Sequence, residues 1–424
     1  MPLSDPGLMS EIRARFAHVD ACPFQGPRVF FENAGGALTL NSVVETSARM
    51  AAIPDNQGRD NPASKALADI IAGARADMRV FFNAPDGQFF VGESGTELLF
   101  RLIRTACLDA GPGEVLGSTL EHPASRSAAI RWAGIAGMDY VSVPHDPATG
   151  TVTAADYVPH LSGKTRVATI LHTSPVTGMG VDVAGIAAAI RAVSPDCLIV
   201  VDGIQHAAHG GIDIAAYGID GYVVSPYKVF SRHGYGLAWI SDRLTRLPHD
   251  MLRGAPSEGW EMGTRDTGAY ATFADVVAYF DWLGGAVSQA TDRRARIEAA
   301  ARAIHAHESR LTHAMLHGVG NLPGLAAMPG VEVIGGVENP RREGLVSFVV
   351  DGIGSVDVVA RLNAQGVRTH LRKADHYSGN ILDPLGLESC IRVSLCHYNT
   401  EAEVLEFLGA MAGITGAAVP VPQS

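Results

Sequence analysis

Cysteine is scarce in this chain and its spacing carries no pattern. Cys22, Cys107, Cys197, Cys390 and Cys396 are odd in number and scattered, with no CxxC pair. That leaves neither a disulfide framework nor a cysteine-based zinc site, and makes a reduced, cytoplasmic setting the expectation. Basic residues are also in deficit, 33 Lys and Arg against 44 Asp and Glu for a formal charge of −11. Nucleic acid and anionic membrane both reward clustered positive charge, so neither is expected as a partner. No uncharged apolar run approaches the roughly 18 to 20 residues needed to span a bilayer, and Met1-Pro2-Leu3-Ser4-Asp5-Pro6 lacks the basic-then-apolar start of a secretory signal. No internal repeat is present.

What the chain does have is length and apolar content, 424 residues of which 47% are hydrophobic, enough for more than one domain. From about Ala21 to Gly285, short β-branched or aromatic runs alternate with amphipathic stretches. Strands are predicted at Phe89–Val91, Glu114–Leu116, Arg166–Leu171, Leu198–Val201 and Tyr222–Val224, and helices starting near Thr96, Ser125 and Val183. The alternation implies βα units and an α/β domain with a mainly parallel sheet, whose ligands bind at the carboxyl ends of the strands. Near Thr291 the character changes. A long helical stretch, Thr291–Leu316, leads to strands at Val331–Ile334, Leu345–Val350 and Ile391–Leu395, with helices near Ser355–Gln365 and Glu401–Met411. The expected division is an N-terminal segment (1–20), a large α/β domain (21–285), and a connector helix with a small C-terminal α+β domain (286–424). Gly416–Ser424 reads as a frayed tail.

Two segments carry the chemistry. Ile199-Val200-Val201-Asp202-Gly203-Ile204-Gln205 is an apolar run that ends in an acid. Val223-Val224-Ser225-Pro226-Tyr227-Lys228 is a second run, ending in Ser-x-x-Lys, with the lysine 26 positions after the acid. This is the pattern of a pyridoxal phosphate (PLP) site. The acid meets the pyridine nitrogen, the serine a phosphate oxygen, and the lysine amine closes a Schiff base with the aldehyde. Burial at a strand end lowers a lysine pKa and frees its lone pair. Ser94, Gly95 and Thr96 open an amphipathic run and leave backbone N–H groups free for a phosphate at a helix start. His122 could stack on the cofactor ring, Gln205 could meet its hydroxyl, and Arg392, on a predicted strand, could take a substrate carboxylate. Taken singly, each has a plain structural explanation: a capping acid, a solvated lysine, an ordinary helix cap, a core histidine, an arginine in a salt bridge. Their combination argues for the site.

In their order along the chain, these segments resemble the class V aminotransferases, in particular the cysteine desulfurase-like branch of the fold-type I PLP-dependent enzymes. Phe31-Glu32-Asn33-Ala34-Gly35-Gly36 is similar to the family's substrate-side loop, Ser94-Gly95-Thr96-Glu97 to its phosphate turn, and Glu121-His122-Pro123-Ala124 to the segment with its ring-stacking histidine. Asp202-Gly203-Ile204-Gln205 resembles the pyridine-binding loop and Ser225-Pro226-Tyr227-Lys228 the Schiff-base strand. Glu261-Met262-Gly263-Thr264 resembles the segment whose threonine reaches the neighbouring subunit's phosphate, and Arg392-Val393-Ser394 with Tyr398-Asn399-Thr400 the carboxylate-binding strand and its turn. The resemblance implies a homodimer with shared active sites. It also implies catalytic roles for Lys228, Asp202 and His122, cofactor contacts from Ser94, Gly95, Thr96, Gln205, Ser225, Tyr227 and Thr264, and substrate contacts from Asn33 and Arg392.

Three departures bear on function. Tyr227 stands where desulfurases usually have histidine, and Pro175 where they often have asparagine. The loop Arg368–Gly379, where they carry the sulfur-accepting cysteine, has none. Cys390 and Cys396 read as buried structural thiols. The expected reaction is therefore a β-lyase elimination on an amino acid, with Lys228 as general base; a transaminase or epimerase would share its early steps. Within the loop, His370, Arg372, Lys373, His376 and Tyr377 suggest an anionic substrate side chain, with His376 and Tyr377 as substrate contacts. Two rivals stand beside this reading. A nicotinamide-dependent dehydrogenase would want a G-x-G-x-x-G turn, and none is evident near the first βα unit. A binding module without turnover is the other. No metal is expected.

Overall fold

The computed structural model describes residues 2–418. Seven strands form the main sheet: β1 (Gln88–Gly92), β2 (Glu114–Ser118), β3 (Asp139–Val143), β4 (Thr165–Leu171), β5 (Leu198–Asp202), β6 (Gly221–Val224) and β7 (Gly236–Ile240). Their order across the sheet is β1-β7-β6-β5-β4-β2-β3, and only β7 runs antiparallel to its neighbours.

Both faces are covered, and strand alternation shows how. In β5, Ile199 and Val201 join one core while Leu198 and Val200 join another. The first core is closed by helices α1 (Pro62–Phe82), α4 (Val183–Val193) and α5 (Thr267–Val287), through Ile71 and Met78, Ile186 and Ile190, and Phe273 and Phe280. The second is closed by α2 (Gly95–Asp109) and α3 (Pro123–Ala136), through Leu98, Leu102, Ala124 and Ala128. With side chains wanted on both faces, the parallel strands read as continuous apolar runs, which made them legible.

A second sheet of four antiparallel strands follows: β8 (Val331–Val333), β9 (Leu345–Val350), β10 (His370–Lys373) and β11 (Ser389–Ser394), ordered β8-β9-β11-β10. Val346, Phe348, Ile391 and Val393 pack against α7 (Ser355–Ala364) and α8 (Glu401–Thr415) in a core of their own. The architecture is thus α/β, with a large mainly parallel sheet and a smaller α+β unit at the C-terminal side. Helix α6 (Arg293–His317) ties the two: Ile297, Ala300 and Ile304 belong to the large core, Leu311, Ala314 and Met315 to the small one.

The structure corrects the sequence reading in four places. Residues 370–373, expected as loop, form an edge strand whose order comes from pairing with β11, since its polar, cationic sequence has no strand signature of its own. β11 ends at Ser394 rather than at the expected Leu395, and Cys396 is buried beyond it. Helices α1 and α5 and strands β3 and β7 were not foreseen. Gly416 and Ala417, expected as part of a frayed tail, are tied to α8. At φ 70° that glycine closes α8, and both it and Ala417 donate to Ala412 O. The rest of that tail, 419–424, lies outside the described residues.

Candidate active site

The carboxyl ends of β4, β5 and β6 meet the N-termini of α2 and α3 around a small cleft. Thr96, His122, Leu171, Pro175, Asp202, Ile204, Gln205, Ser225, Tyr227 and Lys228 line it. Seven of the expected site residues are therefore brought to one place by four elements, β5, β6, α2 and α3. Ser94 caps α2, its Oγ accepting from Glu97 N at 3.1 Å. Gly95 follows, so close to the end of β6 that a Cβ there would lie 2.4 Å from Ser225 Oγ.

Asp202 is 2% exposed, and its Oδ1 accepts from Ile204 N at 3.1 Å. Burial pushes its carboxyl up to about 6, against the Ile204 hydrogen bond and the attraction of Lys228. Lys228 keeps part of its side chain open to the cleft, and its Nζ donates to Gln205 Oε1 at 3.4 Å. Burial first, then the positive fields of Arg392 and Arg372, bring its amine down to about 8 against the pull of Asp202. The pair is thus a carboxylate and an amine each shifted toward neutrality by desolvation.

His122 caps α3 by accepting from Ala124 N at Nδ1, 3.2 Å away. Burial, with Lys228 and Arg372 adding to it, lowers its pKa to about 3, so the imidazole is neutral with its proton on Nε2. The Tyr227 ring stacks on His233 with centroids 4.3 Å apart.

Arg392 is 2% exposed. Alternation along β11 turns it away from Ile391 and Val393, and its Nη1 donates to Pro175 O at 2.9 Å on the cleft wall. Its Nε is buried without a hydrogen-bond partner, as is that of Arg372. Burial, reinforced by Arg372, lowers Arg392 to about 9.

Seven expected residues are not in the cleft lining: Ser94 and Gly95 directly precede Thr96, Arg392 bonds Pro175, and four others are placed elsewhere. The Asn33 amide donates to Ser394 O at 2.8 Å and to Asn399 Oδ1 at 3.2 Å, and accepts from Tyr398 OH, so it is engaged by the protein itself. The turn it sits in still approaches: Cβ atoms on Gly35 and Gly36 would lie 3.7 Å from Arg392 Nη2 and 3.4 Å from Tyr227 Cδ2. Thr264 borders a separate depression with Met50, Pro54 and Asn56. His376 and Tyr377 are exposed, their rings 4.1 Å apart.

Two residues matter more than the sequence reading gave them. Glu121 is fully buried beside the cleft, accepting from Leu171 N at 2.9 Å and Ser125 Oγ at 2.8 Å, and burial raises it to about 7. Its only signal was an acid directly before a histidine at a helix start. Arg372 emerges on β10 as the cation whose field reaches Lys228, His122 and Arg392.

Comparison with known proteins places the chain in a family. The family model for class V aminotransferases matches residues 29–407. The cysteine desulfurase-like protein ustD of Aspergillus flavus is 27% identical over 402 residues, covering 90% of this chain and 86% of that protein. A probable cysteine desulfurase of Pseudomonas putida is 28% identical over 346 residues, covering 80% and 81%. Among solved structures, the cysteine desulfurase CsdA of Escherichia coli superposes with a TM-score of 0.75 at 21% identity, over 97% of this chain and 99% of that one, a likeness of fold. With a family match across nearly the whole chain and a lysine facing an aspartate at the strand ends, the chain belongs to the class V aminotransferases, fold-type I enzymes that depend on pyridoxal phosphate.

Proposed function

We propose that the chain breaks a bond at the β-carbon of an amino acid that carries a second anionic group. One observation carries this reading: two arginines beside Lys228 lack carboxylate partners. Glu32 takes Arg368 at 2.7 Å and His370 at 2.9 Å. Arg392 and Arg372 make no ion pair among the described residues, and each has a buried Nε without a partner. A buried guanidinium needs an anion. An α-carboxylate on Arg392 and a side-chain anion near Arg372 would satisfy both.

The cleft residues fit the cofactor. Asp202 has one backbone donor and, among the described residues, no cation in hydrogen-bond contact, which suits a protonated ring nitrogen. The start of α2 at Ser94, Gly95 and Thr96, with Ser225 pressed against it, suits a phosphate. Pyridoxal phosphate, when bound, supplies a covalent handle for the substrate amine and a ring that accepts the electron pair left at the α-carbon. Lys228 would hold the aldehyde and could serve as the base for the α-proton, a task its lowered pKa favours. Asp202 would hold the ring nitrogen protonated. With the cofactor bound, the neutral His122 would be available to stack on the ring and Gln205 to meet its hydroxyl, with Tyr227 in the same lining. His376 and Tyr377 shape the mouth, and the Asn33 turn closes the substrate side through its backbone. The absence of cysteine from 368–379 favours elimination over persulfide formation. In the same reading the active form is a cytoplasmic homodimer, Thr264 serving the neighbouring subunit's phosphate.

The test is turnover across amino acids with neutral, carboxylate and sulfur-containing side chains, following keto acid, ammonia and sulfide separately. Ammonia or sulfide released without an amino acceptor supports the lyase. Strict dependence on an acceptor would make the enzyme a transaminase, and racemised substrate an epimerase.

A further inference from the structure

Gln205 is held from behind as well as from the cleft. Lys228 Nζ donates to its Oε1 at 3.4 Å, its Nε2 lies 3.1 Å from His209 Nε2, and His209 Nδ1 lies 2.8 Å from Glu308 Oε2. Gln205, His209 and Glu308 are 4%, 3% and 1% exposed, so water does not compete for these bonds. Gln205 and His209 lie on the turn after β5. Glu308 lies on α6, the helix that joins the two cores. Nothing in the cofactor contacts requires such a chain.

An amide has a donor end and an acceptor end, and each neighbour accepts only one of them. With one proton, on Nδ1 and donated to Glu308, the histidine leaves Nε2 bare. Gln205 then gives it N–H and shows its oxygen to the cleft. With a second proton on Nε2 the histidine needs an acceptor there. Gln205 must turn over, presenting its NH2 to the cleft, because a buried donor left without a partner costs about 1 to 3 kcal/mol.

We propose that His209, anchored by Glu308, is a positioning residue whose proton state selects which end of the Gln205 amide faces Lys228 and the cofactor's ring hydroxyl. The proposal rests on the pyridoxal phosphate reading of the cleft. His209 is faced by Glu308 from α6, Glu343 from the segment before β9, Lys228 from beyond β6, and His397 and the Cys396 thiol from beyond β11. Burial opposes charging the ring, but Glu308 and then Glu343 outweigh it against Lys228, so His209 titrates above the ordinary histidine range.

The experiment is a pH titration of the bound cofactor's visible absorbance in the holoenzyme, for the wild type, Glu308→Gln, His209→Asn and Gln205→Met. The wild type is expected to titrate in two steps, one from the lysine-bound chromophore and one from His209. His209→Asn and Gln205→Met should keep the first step only. Glu308→Gln should move the second step down by about one pH unit, a tenfold loss of proton affinity. A second step that survives His209→Asn overturns the proposal, as does a single step in the wild type. Changes confined to thermal stability, with the titration curves unaltered, overturn it too. Should Glu308→Gln fail to fold, Gln205→Met leaves the buried pair intact and decides alone. A wild type that binds no chromophore through Lys228 would instead remove the pyridoxal phosphate reading.

Discussion

A methyl group on Gly95 would stand 2.4 Å from Ser225 Oγ and 2.6 Å from Ile204 Cδ1. The first turn of α2 is therefore pressed onto the end of β6, and the corner between them is where an anion can meet backbone N–H and a hydroxyl together. Gly95→Ala must push the helix start away from Ser225. Overpacking of this kind costs about 1 to 3 kcal/mol, so cofactor affinity should fall roughly ten- to a hundredfold. Titration of the apoenzyme with pyridoxal phosphate measures it, with circular dichroism showing the fold kept. Unchanged affinity would take the helix start out of the phosphate site.

Lys228 predicts a pH dependence with a definite sign. Only the neutral amine attacks an aldehyde, and the amine is brought down to about 8 by burial and by Arg392 and Arg372. Below that value the neutral fraction drops about tenfold per pH unit, and above it the fraction saturates. Covalent capture of the cofactor by the apoenzyme should therefore accelerate with rising pH and level off near 8. Stopped-flow absorbance at fixed cofactor follows it. Lys228→Ala should abolish borohydride-reducible attachment at every pH. A capture rate still climbing steeply at pH values near an ordinary lysine's would mean that the amine is not desolvated.

Asp202 and Lys228 could be found in the sequence because each ends a β-branched run that has to be apolar on both faces, and such runs mark strand ends whatever the rest of the chain does. The start of α2 was legible for a similar local reason, small capping residues before an amphipathic stretch. Arg372 was placed in a loop because His370-Leu371-Arg372-Lys373 has no strand pattern. Its order is imposed by β11, and that pairing brings its charge to bear on Lys228. The His209–Glu308 pair joins residues 99 positions apart, which no local pattern encodes. Asn33 shows the opposite limit. Its motif was visible, but whether its amide turns to a substrate or to Ser394, Tyr398 and Asn399 depends on a strand more than 350 residues away.

Asn33 supplies a direct test of that distinction. Its amide donates to Ser394 O and Asn399 Oδ1 and accepts from Tyr398 OH, all buried. Asn33→Ala strips these groups of partners at a cost of about 1 to 3 kcal/mol. The denaturant midpoint should fall accordingly, with KM of the folded enzyme changed by less than about threefold. A tenfold rise in KM at unchanged stability would instead put the side chain on the substrate.

Arg372 decides the substrate class. It is half-buried, makes no ion pair among the described residues, and its field reaches Arg392 and Lys228. If it receives a side-chain anion, Arg372→Gln removes a charged hydrogen bond worth about 1.5 to 3 kcal/mol. In that case kcat/KM for amino acids with an anionic side chain should drop roughly ten- to a hundredfold, while amino acids with neutral side chains are little affected. Arg372→Lys keeps the charge but loses the planar fork and should fall between the two. Losing the Arg372 field also relaxes one of the pressures on Lys228, so its amine should rise and the capture plateau move to higher pH in Arg372→Gln. The two readouts separate two roles. An arginine that only tunes Lys228 would move the plateau and slow every substrate alike, whereas one that binds the side-chain anion would also change the ranking of substrates.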